Sequence, residues 1–110
     1  MVSDSVRQRY LRDPLPVRLG GLAADLARLA SCAENPQNQS AVVSLLEEGK
    51  YFAEWAADGA PLPVQEALAQ MQLSLAIWHR RWLAGRREPL MCEEAHRWSD
   101  QLLALSGLAR

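Results

Sequence analysis

The chain has 110 residues, 18 of them leucine and 17 alanine against a single isoleucine and a single phenylalanine, and its net charge is −1. That length makes one domain, and about two-thirds of the unfolded surface can be buried, enough for a core without metal or disulfide staples. At 49% hydrophobic and near neutrality the chain is neither a disordered tail nor a basic nucleic-acid binder, and few β-branched residues favour helix over strand.

Residues 1–14 (MVSDSVRQRYLRDP) are polar and lack the apolar stretch of a secretory signal. They read as an N-terminal arm, flexible or folded as a short helical lid on a bundle domain at 15–110. Pro16, Pro36, Pro63 and Pro89 then stand where helices should begin, because proline's missing N–H costs nothing in a first helical turn. Asn35 before Pro36 is suited to capping, its side-chain oxygen accepting a free N–H. Apolar residues follow each proline at steps of three and four. They are Leu19, Leu22, Leu26, Leu29 and Ala33, and then Val42, Leu45, Leu46, Gly49, Phe52, Ala53 and Ala56. Next come Val64, Leu68, Met71, Leu75, Trp78 and Trp82, and last Met91, Ala95, Trp98, Leu102 and Leu105.

The spacing predicts helices at 16–33, 37–57, 63–85 and 89–106, with Ser106-Gly107 as a stop. Short connections join antiparallel neighbours, so the expected fold is all-α, an up-down-up-down antiparallel four-helix bundle. Gly20-Gly21 could delay the first of these helices, and Gly49 on the apolar face leaves room for a bulky neighbour such as a tryptophan. The tetrapeptide PLPV occurs at 14–17 and again at 61–64, with leucine seams out of phase, which reads as a shared way to start a helix.

No catalytic set is visible: there is no phosphate loop, no nucleophile elbow and no inward carboxylate pair, so no enzyme and no cofactor is expected. Glu93-Glu94-Ala95-His96 has the Glu-x-x-His step of di-iron bundles, but Ala76 occupies the matching place before His79 and Glu93 points away from the seam. No metal site is expected there. Cys32 and Cys92 fit no zinc or redox spacing and suit a reducing cytoplasm, although their helix ends should share one end of the bundle. No segment reaches the run of about 18 apolar residues that inserts in a membrane. Arg80, Arg81, Arg86 and Arg87 cluster at the end of the third predicted helix, where the helix dipole favours cations. They could contact an anion or a partner, with His79 and Arg97 nearby. Glu88, Glu93 and Glu94 interrupt the cluster, and the Arg-rich segment 1–18 falls at the opposite end, so a nucleic-acid role is disfavoured.

Apolar residues remain after the core is assigned. At about 100° per residue, Tyr51 projects about 180° and Trp55 about 140° from Val42. Leu73 and Ile77 oppose the Val64–Trp82 seam, with Ala69 and Ala76 alongside. The two stripes lie on sequential helices and could merge into one patch, which monomers seldom leave in water. A homodimer interface is the favoured account. A lid made by Val6, Tyr10 and Leu11, or a partner-protein site, are the alternatives. Trp78, Trp82 and Trp98 should gather near one end, as core or as a pocket for a small hydrophobic ligand or pigment.

The segments DPLPVRLGGLAADLARLAS, NPQNQ, SLLEEGKYFAEW and RWSDQLLALSGL resemble a small conserved all-helical protein family of cyanobacteria, over roughly residues 13–108. The resemblance implies a cytoplasmic location in a photosynthetic bacterium and lends weight to a pigment or photosystem partner. It brings no activity or site residue. The expected function is a non-enzymatic interaction or scaffold module.

Overall fold

A computed structural model describes residues 4–86 and 90–107, apart from the side chain of Pro36. The chain is all-α. Helix α1 is Asp4–Arg12, α2 Leu15–Ala33, α3 Gln39–Ala57, α4 Leu62–Leu83 and α5 Met91–Ser106, and a 3-10 turn at Pro36–Asn38 precedes α3.

Both copies of PLPV start a helix in the same way. Pro14 and Pro61 are extended N-caps (φ −63°, ψ 156° and φ −58°, ψ 152°), and Pro16 and Pro63 occupy the first turns of α2 and α4. The cap carbonyls accept the first helical bonds, from Arg18 N–H at 3.1 Å and from Gln65 N–H at 3.0 Å. A proline ring thus fixes the entering backbone where no side chain caps it. Helix α2 runs unbroken through Gly20-Gly21, so that pair does not delay its start. Asn35 caps as expected, its side-chain oxygen accepting from the Gln37 N–H at 2.9 Å, but the turn it caps is the 3-10 turn, and α3 proper begins at Gln39.

The ends follow glycine's access to the left-handed region. At the end of α4, Gly85 has φ +78°, its N–H donates to the Trp82 carbonyl at 3.0 Å, and the Arg86 N–H reaches back to the Arg81 carbonyl at 2.9 Å. This Schellman turn folds Arg86 back toward the helix it terminates. Gly107 closes α5 with φ +75°.

The four apolar seams meet in one core, except that Leu105, read as the end of the last seam, is exposed and Ser106 is buried in its place. Leu19, Leu22, Leu26, Leu29, Val42, Leu46, Leu68, Met71, Leu75, Met91 and Leu102 are fully buried. Helix α2 packs on both α5 and α3, α3 packs on α2 and α4, and α1 rests on α3. Helices α4 and α5 are consecutive in the chain but barely touch, so the assembly is flattened, 36 × 32 × 19 Å. The α2–α5 pair is lined with small buried residues, Ala23 and Ala30 on one helix and Ala95 and Ser99 on the other. There the Ser99 hydroxyl donates to the Ala23 carbonyl at 2.7 Å. Gly49 faces Leu75 rather than a tryptophan: a Cβ placed on it would stand 3.2 Å from a Leu75 methyl.

Candidate interaction surface

The two surplus apolar stripes have different fates. Trp55 turns toward α1, with the Tyr51 ring beside it on α3. Their rings are 5.7 Å apart, and Trp55 also meets Phe52 at 5.8 Å and Tyr10 at 6.1 Å. Tyr10 is buried, stacks flat on Phe52 at 4.2 Å, and donates its hydroxyl to the Arg18 carbonyl at 2.9 Å. Burial holds that phenol well above its ordinary pKa, opposed in part by the Arg18 charge. The Arg7 guanidinium lies 6.0 Å from the Trp55 ring, a cation–π distance. Arg18 bridges in the other direction, its guanidinium donating to the Trp55 carbonyl at 3.5 Å near the C-terminus of α3, where the helix dipole welcomes a cation.

Leu73 and Ile77 have no such cover. They are 64% and 40% exposed on the side of α4 that faces away from the core. The same side carries Leu62 (65% exposed), Glu66, Ala69, Arg80 and Ala84, all exposed. On a wheel of about 100° per residue these seven positions fall within roughly 80° of one another, opposite Leu68, Met71, Leu75, Trp78 and Trp82. At the C-terminal end a shallow hollow of about 320 Å³ is lined by Ile77, Arg80, Arg81, Ala84 and Arg86. The surplus apolar stripe of α4 and the arginine cluster therefore form one surface, which the sequence treats as two features. Arg87 lies outside the described residues.

The comparisons with known proteins give no relative. No protein-family model, curated protein or solved structure matches the chain.

The tryptophans divide between core and groove. Trp78 and Trp82 are buried. Trp98 is half-buried against the core and borders an open groove of about 280 Å³ with Ser74, Glu94, Arg97 and Gln101, lined by neither of the other two. This groove lies in the gap where α4 and α5 diverge. Cys32 and Cys92 are free, half-buried thiols, and burial together with Glu34 pushes Cys92 up, away from the reactive thiolate. Glu93 and His96 are exposed on α5, and among the described residues no group of three His, Cys, Asp or Glu side chains could hold a metal. Among the same residues no helix is long and apolar enough to cross a membrane.

One polar feature escapes the sequence reading. Asp25 sits within the apolar seam of α2, between Leu22 and Leu29, and is 3% exposed. One carboxylate oxygen accepts from Arg28, whose own side chain is largely in solvent, while Oδ2 is buried with no hydrogen-bond partner among the described residues. Burial, then the neighbouring Glu48 carboxyl, push Asp25 up to about 7 against the pull of Arg28. The available signal was an acidic residue at a core step of the LAADLARLA segment.

Proposed function

We propose that the protein is a non-enzymatic interaction module, an up-down-up-down four-helix bundle in its long helices α2–α5, which self-associates through the outward side of α4. The observation that supports this reading is the exposure of Leu73 and Ile77, 64% and 40%, on one unbroken helix side beside Leu62. Large apolar side chains aligned along one exposed stripe are characteristic of a contact surface, and symmetric dimers are the commonest use of such a surface. Trp55 meets Tyr10 of α1 and Tyr51 lies beside Trp55 on α3, so neither is part of this α4 surface.

Light scattering across a concentration series tests the proposal. A dimer is expected to form in the micromolar range. Leu73→Glu places two carboxylates in the apolar contact and is expected to return the protein to monomer. Because Leu73 is exposed in the monomer, the stability of the monomer, compared with wild type at concentrations below the dimer's dissociation constant, should change by no more than about 0.5 kcal/mol. A wild-type chain that stays monomeric at high micromolar concentration overturns the reading.

A further inference from the structure

The outward side of α4 is self-complementary about Leu73. Glu66 and Arg80 stand seven positions to either side of it, Ala69 and Ile77 four, and Leu62 and Ala84 eleven. All seven residues are exposed, and among the described residues neither Glu66 nor Arg80 is held in an ion pair. When two identical helices pack antiparallel about a two-fold axis, each residue faces the one equally far on the other side of that axis.

We propose that two copies of the chain pair their α4 helices antiparallel, with Leu73 meeting its own copy on the axis. Ile77 of each chain then packs on the small Ala69 of the other, Leu62 covers Ala84, and Glu66 meets Arg80 at both rims. Every large apolar residue finds an apolar partner, and both charges are paired. The alternatives lack this. A parallel, in-register pair sets Glu66 against Glu66 and Arg80 against Arg80. An antiparallel axis moved one turn to Ile77 sets Leu73 against Arg81. Both place like charges, or an arginine and a leucine, across the contact, which costs specificity and stability. Large residues opposite alanines also let two helices approach closely at a shallow angle. A single helix pair is at the small end of specific interfaces, on the order of 1,000 Å², which suits an association in the micromolar range.

This pairing rests on the self-association proposed above, and charge exchange separates the two. Glu66→Arg alone faces Arg80 across both rims, and Arg80→Glu alone faces Glu66. At low salt each single variant is expected to weaken the dimer about tenfold. An equimolar mixture of the two chains rebuilds opposite charges at both rims of a heterodimer. It is expected to recover wild-type affinity within about threefold, as is the double variant E66R/R80E. In the mixture each chain still carries its own substitution, so recovery reports pairing between chains and not any change within α4. A wild-type dimer indifferent to both single variants overturns the pairing and leaves self-association standing. Single variants that weaken the dimer without recovery in the mixture also overturn it. A monomeric wild type overturns both proposals.

Discussion

An Ala95→Leu chain is expected to lose about 3 kcal/mol of stability and to melt roughly 10 °C below wild type. Ala95 is fully buried on α5, the helix joined to α2 by the Ser99–Ala23 hydrogen bond. A leucine there has three more carbons and no space, so it either takes a strained rotamer or pushes the helices apart. Separation would also stretch the 2.7 Å bond and leave a buried hydroxyl unpaired. Ala24→Leu is the control. Ala24 is next to buried Ala23 but exposed, so the same added volume reaches solvent and should change stability by no more than about 0.5 kcal/mol. Chemical denaturation of both variants gives the answer. Equal losses would mean that α2 and α5 do not pack on their small residues.

Asp25→Asn is expected to stabilise the protein at pH 8 by on the order of 2 kcal/mol, and to give little or no gain near pH 4.5. The folded chain holds Asp25 at about 7, whereas an unfolded aspartate titrates near 4. Between those values the native state binds the extra proton. This group's contribution is therefore greatest in acid, declines as pH rises from about 4 to about 7, and is constant above. Asparagine is neutral throughout, can donate to Glu48 and can still accept from Arg28, so it removes that decline. A shift of this size would correspond to about twice the stated figure, but water reaches the pair from the exposed Arg28 side. The check is the stability difference between the two proteins measured at several pH values. A difference that does not vary with pH would show that Asp25 titrates in the folded chain as it does in the unfolded one.

Most of the scaffold is legible in the sequence because it depends on local chemistry. Pro16 and Pro63 mark the starts of α2 and α4 within one residue, Gly107 marks the end of α5, and all six apolar positions read from Val64 to Trp82 are buried. The departures come from tertiary contacts. Residues 4–12 are too polar to announce a packed helix, yet Tyr10, the buried residue of α1, stacks on Phe52, and Arg7 lies over Trp55. The stripes of α3 and α4 look equivalent on a wheel, and only the placement of α1 shows that one is partly covered and the other open. The partner of Gly49 is Leu75 for a related reason, since spacing along each helix says nothing of the register between them. Leu73 and Ile77 were recognisable as surplus, whereas their alignment with Glu66 and Arg80 becomes visible only when α4 has a known outward side.

The weak α4–α5 contact and the close α2–α5 contact together set an order of assembly. Helices α3 and α4 are joined by a four-residue link and can dock as soon as both form, because little chain entropy is lost in closing so short a loop. Helix α5 gains little from its sequence neighbour α4. Its main partner is α2, and the Ser99–Ala23 bond spans 76 positions. Until residues 91–106 dock, the side of α2 that they cover has no other element to bury it. A chain cut between α4 and α5 would keep its local hairpin and expose the leucine- and alanine-lined side of α2, making it a substrate for aggregation or chaperone capture.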